Sequence, residues 1–559
     1  MRDELRVVMT VAALCGLAAS AAGCDDASDD DANASDAGDG DTSGDGDSSG
    51  DGDSSGDGDS SGDGDSGGDG DGDGDGDGAS LPRPPGTLVS TLTGLPGDEP
   101  TACEWEWTVR GLTYLPGAQV PRRMYFDACN TDTDTPTFFT SLTVGENAQH
   151  PAEDPSSGGI VRATLNASTG GLEVAELGYF PECISMHGIA TSDDCSTVAA
   201  LCRIPSGTQG FDKDVLATHP AADWMTNPYE CGDRGVNDEM WLYEWVGGDI
   251  SATPDKYIVH KSIGSWEYGN NYLRYGEGDD SYGIAVKATV GGVDGPDTCH
   301  EADAYLIFDR SDYTLASDRG WSWACGTGHT QFNRPAYNPA TGRYAMMCST
   351  DGDVDGEPNI GGYFFRTEDG DADQFHELNF DGITNKGAAG SLLPLPDGGY
   401  LGVLVGVPGP VQPGMGVPLE PPTSIGLVHW GSDGAMVGEI EWIVSDAGAY
   451  LGHATLAQLG PDHYLLGWGA LLALGGDDSN GDDLAIPREH YVMEIDAAGA
   501  RLTEPQLLKR VGWGEIDEMV ALGPGRVAWT YIEDPQLDDD GAPFCNQPQV
   551  QMTVYTASQ

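Results

Sequence analysis

One unit recurs three times between residues 391 and 533, and it narrows what the chain can fold into more than any other feature. SLLPLPDGGYLGVLVG starts at Ser391, TLAQLGPDHYLLGWGA at Thr455 and EMVALGPGRVAWTYIE at Glu518, at spacings of 64 and 63 residues. Laid over one another without gaps, Leu392, Leu456 and Met519 coincide, then Leu395, Leu459 and Leu522, then Tyr400, Tyr464 and Val527. Each copy reads as a half-apolar strand, a Gly/Pro/Asp turn and a second, more buried strand. Another hairpin sits between copies, turning at 431–434 (GSDG) and 496–499 (DAAG).

Four short strands per period, unable to bury both faces alone, predict an all-β chain built as a β-propeller. Carried backwards, the template finds copies at 338–380, 272–321 and 188–263, and a least regular one near 107–129 with 160–180. That counts seven four-stranded blades of about 60 to 85 residues within 81–559, with six or eight reachable by merging or splitting weak copies. A ring must close or leave sheet edges open. The last copy shows three strands, ending at 550–556, and 87–93 (TLVSTLT) is an unassigned strand before the first copy. The expected closure sets this N-terminal strand on the outside of the final blade.

The chain has 559 residues, of which 92 are acidic and 25 basic. Two acids lie in the first six residues and 21 aspartates between Asp25 and Asp77, which leaves a formal charge of −46 on 81–559. Such a surface repels nucleic acid and anionic lipid and favours cations or basic partners. The 82 glycines and 34 prolines suit tight turns, although the tract before residue 80 inflates the glycine count.

Residues 1–23 read as an export signal, with Arg2 and Arg6 flanking a short n-region and an apolar run too short to span a bilayer. Ala21-Ala22-Gly23-Cys24 resembles the lipobox of bacterial lipoproteins, with Ala21 where the family usually has Leu. The resemblance implies that Cys24 takes lipid and becomes the mature N-terminus, anchoring the protein in the cell envelope, at the outer membrane or cell surface. Ordinary cleavage after Ala21 would instead give a freely secreted protein. Residues 24–80 repeat GDGDSS and then alternate Asp and Gly, with no aromatic and no aliphatic residue larger than alanine. Such a tract cannot bury a core and is expected to be a disordered spacer reaching roughly 40 Å.

Beyond Cys15 and Cys24 there are ten cysteines, an even number that in an exported chain predicts up to five disulfides. Most fall near strand ends that share one propeller face, so the bridges are expected to pin that face. Acidic runs at 130–134, 351–359, 477–483 and 538–541 are read as loops between second and third strands, on the face that also carries the links between blades. The sharpest is DGDVDGEPN, in which Asp351, Asp353 and Asp355 alternate ahead of Gly356, with Asn359 in the ninth position. It resembles the calcium loop of integrin-type propellers and the first half of an EF-hand loop, which implies calcium on these four residues. Asn359 replaces Asp, and Gly362 stands where an EF-hand has its bidentate Glu. A solvated acidic turn is the competing reading.

His187, His329 and His453 each precede a blade's first strand. Because first strands line the central channel, these side chains could meet at its mouth and hold a transition metal, with Glu515 and Asp517 at a similar height. Seven blades also spread such positions around a wide ring, where a lone histidine commonly serves its neighbouring backbone. The sequence carries no His-Glu-x-x-His, no phosphate loop and, outside the low-complexity tract, no Gly-x-Ser-x-Gly. The Trp-Asp dipeptide of WD40 repeats and the double-glycine signature that marks kelch repeats are absent too. A binding or scaffold module at the cell surface or in the periplasm, calcium-stabilised and engaging a protein or carbohydrate but no nucleic acid, is the favoured function. The alternative is an exported lyase, hydrolase or oxidoreductase with its site at the channel mouth.

Overall fold

Several of the acids in 81–559 shape turns. Asp194, Asp249, Asp309, Asp397, Asp433 and Asp496 each accept a backbone N–H a few residues on, at 2.8–3.1 Å. This is the local bond that makes Asp a turn former, and it punctuates a chain of short strands. In the computed structural model the described residues are 83–92, 106–107, 113–114, 125–144, 157–166, 171–180, 182–183, 185–204, 238–263, 272–291, 299–325, 333–350, 353–354, 357–358, 361–366, 373–377, 389–406, 408, 424–445, 450–471, 489–508, 518–532, 536–537, 543–544 and 550–558. They are all-β, and no helix occurs among them.

The strands follow one another as four-stranded antiparallel meanders, numbered here as sheets in chain order. Sheet 1 is Phe126–Cys129, Thr137–Val144, Ser157–Asn166 and Gly171–Phe180. Sheet 2 is Ser185–Thr191, Thr197–Ile204, Asp238–Val246 and Asp255–Ile263. Sheet 3 is Tyr272–Gly276, Ser281–Gly291, Cys299–Asp309 and Thr314–Cys325, joined to sheet 2 through the single pair Ile263↔Ala288. Sheet 4 is Asn333–Asn338, Arg343–Thr350, Gly361–Arg366 and Asp373–Glu377. Sheet 5 is Ala389–Pro394, Tyr400–Gly406, Ser424–Trp430 and Glu441–Ser445. Sheet 6 is Tyr450–Gly460, His463–Leu471, Glu489–Ile495 and Gln506–Leu508. Sheet 7 is Val520–Ala521, Arg526–Ile532, Val550–Thr556 and, on its outer edge, Thr87–Leu92.

The first strand of each sheet lies beside the first strand of the next, and that of sheet 7 lies beside that of sheet 1. Burial falls outward from this inner set. Thr197–Ile204 and Tyr400–Gly406 are buried at every position, which is why they read as unbroken apolar runs, whereas the fourth strand Glu441–Ser445 buries only Ile443. Between successive sheets the apolar faces interlock. Leu401, Val403 and Leu427 of sheet 5 meet Leu456, Tyr464 and Leu466 of sheet 6, and Leu522, Ala528 and Val554 of sheet 7 meet Phe126, Phe138 and Leu165 of sheet 1. The repeat anchors hold equivalent places, since Pro394↔Tyr400, Gln458↔Tyr464 and Ala521↔Val527 all lie at the turn end of their hairpins, with Gly460↔His463 one pair further in sheet 6.

The irregular first copy lies further along the chain than its sequence suggests. Trp107 belongs to a separate two-residue ladder with Thr113, and sheet 1 starts at Phe126. Its second strand, Thr137–Val144 (TFFTSLTV), mixes hydroxyl and apolar residues, and the template passes over it. As a result, the acidic run at 130–134 joins first and second strands, on the face opposite the one expected. The disulfides divide in the same way. Cys183–Cys202 lies at the end where sheet 2 is entered, and Cys129–Cys195 ties the first hairpin turns of sheets 1 and 2 on the other face. Cys348 is also disulfide-bonded. The tryptophans Trp241, Trp245 and Trp529 are core residues.

Thr87–Leu92 pairs with Val550–Thr556 over six residue pairs, from Thr87↔Thr556 to Leu92↔Gln551, so the N-terminal strand completes the last sheet as its sequence position suggested. Gly86 enters this strand against the Thr556 carbonyl, where a Cβ would sit 2.1 Å from the oxygen, and its N–H donates to the Tyr555 hydroxyl at 2.7 Å. At the turn of sheet 7, Gly523 (φ 80°) packs so close to sheet 1 that a Cβ would lie 2.0 Å from the Thr131 carbonyl oxygen. Arg526 Nη2 donates to the Thr133 carbonyl at 3.1 Å beside it.

Six ladder pairs at about 0.5–1.5 kcal/mol per hydrogen bond amount to several kcal/mol, a large part of a typical folding free energy. A chain beginning at Leu95 should therefore melt well below one beginning at Leu81 and aggregate through the bared Val550–Thr556 edge. Equal melting temperatures for the two would show that the strand contributes nothing.

Candidate functional site

The residues singled out from sequence fare differently. His187 is buried in the inner strand of sheet 2, within a bulge between Met186 and Gly188, and its ring lies 6.5 Å from that of Tyr125. His453 occupies the corresponding bulge of sheet 6, between Gly452 and Thr455. His329, Glu515 and Asp517 lie outside the described residues, as do Cys24 and the whole of 1–80. In the candidate calcium loop, Asp353–Val354 pairs antiparallel with Glu357–Pro358, which gives the loop a hairpin stem. Asp351, Asp355 and Asn359 lie outside the described residues. No metal-holding group of His, Cys, Asp or Glu occurs among those that are described.

The inner strands bring together a set of polar residues that sequence reasoning passed over. The second-strand residues Phe138, Val198, Tyr282 and Tyr344 of sheets 1 to 4 correspond to the anchors Tyr400, Tyr464 and Val527, and counting three residues back from the inner-strand partner of each gives Tyr125, Gly188, Tyr272, Arg334, Ser391, Thr455 and Glu518. Six of the seven form a linked series. Tyr125 meets Tyr272 edge-on at 6.1 Å, and the Arg334 guanidinium stacks over the Tyr272 ring at 4.4 Å. Arg334 Nε lies 3.4 Å from Glu518 Oε1. The Met519 N–H beside Glu518 donates to Thr455 Oγ1 at 3.3 Å, and the Thr455 and Ser391 hydroxyls share a hydrogen bond of 3.1 Å. Gly188 is the exception because the Leu273 backbone passes so near that a Cβ would lie 3.0 Å from its nitrogen.

Glu518 is the centre of this set. It belongs to sheet 7, yet its carboxylate reaches Arg274 Nη2 of sheet 3 and approaches Arg334 of sheet 4, neither of which is a neighbouring sheet. Arg334 is 2% exposed and Glu518 14%, so these are ion pairs across the middle of the ring and largely withdrawn from water. A buried guanidinium without a counter-charge would be strongly destabilising, so Arg334 calls for a carboxylate at this place. Arg274 keeps 29% of its side chain exposed, and its Nη1 donates to its neighbour's carbonyl, Leu273 O, at 3.2 Å.

Asp127, on the inner strand of sheet 1, completes the group electrostatically. Burial raises its carboxyl above the usual range, and Arg274, with the Ala128 and Thr191 donors, partly offsets that rise. One oxygen accepts from the Ala128 N–H at 2.9 Å, and the other from the Thr191 N–H at 2.8 Å and hydroxyl at 3.3 Å. Burial likewise pulls the Arg274 guanidinium down, opposed by Asp127. The result is two guanidiniums and two carboxylates drawn from sheets 1, 3, 4 and 7.

Further out, a carboxylate bonded to a tyrosine and a nitrogen-bearing side chain (Lys, Arg or His) recurs three times. Glu182 accepts from the Tyr243 hydroxyl at 2.9 Å and from Lys256. Glu244 of sheet 2 accepts from Tyr282 and Arg310 of sheet 3, both at 2.6 Å. Glu494 of sheet 6 accepts from Tyr555 of sheet 7 at 2.7 Å, from His463 at 2.8 Å and from the Ser558 N–H and hydroxyl at 2.7 and 2.8 Å. Glu244 and Glu494 are equivalent, each facing the residue after its sheet's anchor through Ala199 and Leu465. The Glu244 and Glu494 groups tie one sheet to the next, and the Glu182 group fixes the link into sheet 2. They also hold the tyrosine hydroxyls well above their ordinary pKa, through burial first and the carboxylate second for Tyr243 and Tyr282.

No family model matches the chain, and no curated protein matches it by sequence. By fold it is similar to a protein of unknown function from Dyadobacter fermentans, at 9% identity and a TM-score of 0.38, over 79% of this chain and 96% of that one. It is similar to the β-propeller domain of the Trilobed protease from Pyrococcus furiosus, at 10% identity and 0.29, over 71% and 98%. A sialidase from Trypanosoma rangeli is similar at 7% and 0.34, over 84% of this chain and 59% of that one. Likeness of this degree carries no information about ligand or reaction.

Glu494 yields a pH dependence with a definite sign. Burial alone would raise its carboxyl, but the bonds from Ser558, Tyr555 and His463 outweigh it and hold the pKa below the ordinary glutamate range. A lowered native pKa contributes stability in full above the unfolded value of about 4.3, and that contribution is lost as pH falls through the native value. Glu494→Gln should lower stability at pH 7 by about 1–3 kcal/mol and flatten the acid limb of the melting-temperature profile. A variant whose acid limb is as steep as the parent's would assign that limb to other groups.

Proposed function

We propose that 81–559 is a seven-bladed β-propeller, exported and held at the cell envelope by lipid on Cys24, and that it binds a ligand at the mouth of its central channel without chemically altering it. The succession of seven four-stranded meanders with adjacent inner strands supports the blade count. The binding reading is carried by one observation: Arg274, Arg334, Glu518 and Asp127 converge from four sheets on the inner strands. Tyr272, Arg334 and Glu518 lie toward the strand ends where each blade is entered, so the cluster sits near the mouth on that side.

Binding is favoured over catalysis by how the carboxylates are held. Both oxygens of Asp127 are engaged by fixed donors, and those of Glu518 face guanidiniums, an arrangement that anchors charge rather than moving a proton. Calcium at 351–359 belongs to the same proposal, as an ion ordering a loop on the ligand-facing side.

The full-length protein should retain a component of solubilised cell envelope, and Arg274→Met should lose it while melting as the parent does. Retention unaffected by Arg274→Met would remove the channel mouth as the site. Low-mass product released from envelope polymers by the parent but not by Asp127→Asn would establish an enzyme instead. A calcium chelator in the same assay should weaken retention; no effect would exclude calcium from ligand binding.

Anchoring has its own test. Cys24→Ala should move the protein from the membrane to the soluble fraction with its melting temperature unchanged. Continued membrane partition would mean that lipid on Cys24 is not what holds it there.

A further inference from the structure

Resting on the reading of the channel mouth as a binding site, we propose that Arg274 and Arg334 form a carboxylate-recognition subsite and that Glu518 is its internal competitor. A ligand carboxylate would displace the Glu518 carboxylate from the two guanidiniums. Planar guanidinium forks match the two oxygens of a carboxylate, and a pair converging on one such group is a preorganised receptor for it. In the unliganded protein that group is supplied by the protein itself.

The two sides of this contact are built differently. The arginines are held in place without Glu518: Arg334 by the Tyr272 ring 4.4 Å beneath it, and Arg274 by the Leu273 carbonyl at 3.2 Å and the charge of Asp127. Both stand on inner strands whose ladders run to five and six residues, Tyr272–Gly276 and Asn333–Asn338. Glu518 lies outside any ladder, two residues before Val520–Ala521, which has the shortest ladder of the seven inner strands. Withdrawing it breaks no strand pairing. Access fits as well, because the part of the cluster open to solvent is the Arg274 side chain, 29% exposed, next to Glu518 at 14%.

Competition sets the direction of the test. Removing the internal carboxylate should raise affinity for an external one, whereas a merely structural ion pair would give a weaker protein that binds nothing. The probe is malonate titrated into the full-length protein at constant ionic strength, with sulfate and chloride as comparison anions, read by calorimetry and by melting temperature. Glu518→Gln should bind malonate at least about tenfold more tightly than the parent, and Arg274→Met should abolish saturable binding in both backgrounds. A folded Glu518→Gln that shows no saturable malonate binding would overturn the proposal, and so would sulfate binding as tightly as malonate.

Should Glu518→Gln fail to fold, the parent and Arg274→Met still decide the matter. Stabilisation of the parent by malonate that Arg274→Met lacks supports the subsite, and equal responses overturn it. The two readings fail separately. Loss of envelope retention in Arg274→Met without any malonate binding would keep the mouth as a binding site and remove carboxylate as its ligand class. Malonate binding without envelope retention would leave the subsite standing and remove the envelope ligand.

Discussion

The backbone hydrogen bonds between the two ends of the chain are the constraint on which the other contacts depend. Every inter-sheet core here is shared with neighbours, so a gap anywhere would expose apolar faces on both of its sides. The chain meets this by setting residues 87–92 beside 550–556, which removes an open edge and fixes the last sheet against the first. Gly86 and Gly523 mark how tightly the two ends are drawn, each lying where a side chain would strike a carbonyl. Cores between sheets then need only ordinary apolar residues of suitable size, and the repeat supplies them.

Apolar packing is indifferent to small slips, and buried polar groups are not. Glu244 and Glu494 occupy one equivalent position in sheets 2 and 6, and each reaches a tyrosine of the following sheet. A one-residue slip would leave a buried carboxylate facing apolar side chains, at a penalty of several kcal/mol. The same logic applies at the centre, where the Glu518 carboxylate of sheet 7 reaches guanidiniums of sheets 3 and 4. Polar contacts at two radii thus fix what the hydrophobic layers leave loose.

Much of the architecture was legible because it depends on period and pattern. Leu392, Leu456 and Met519 predicted equivalent inner strands, and 87–93 could be assigned by asking what closes a ring. Sheet 1 was misplaced because Thr137–Val144 is half threonine and serine and follows an acidic turn, so the template did not register it as a second strand. The site was harder to see for a different reason. Its residues open the repeats, as Ser391, Thr455 and Glu518, and a polar first letter looks like a strand end until the ring brings such positions together. Among so many acids, nothing local separates Glu244 or Glu494 from a solvated glutamate. Only the tyrosine and nitrogen-bearing side chain contributed from distant sequence do so.

The direction in which the chain enters the last sheet has a mechanical consequence. Thr87 lies beside Thr556, and Ala557 donates to the Gly525 carbonyl in the first hairpin turn of sheet 7, so the strand begins on the face away from Glu518 and runs toward it. A pull on the chain ahead of Arg83, resisted at the opposite face, loads the strand along its length. The six pairs would then share the force in shear instead of peeling open one after another. Before they feel it, the pairing of Arg83 with Thr503 on sheet 6 must give way. The strand that completes the last sheet is thereby also placed to carry tension.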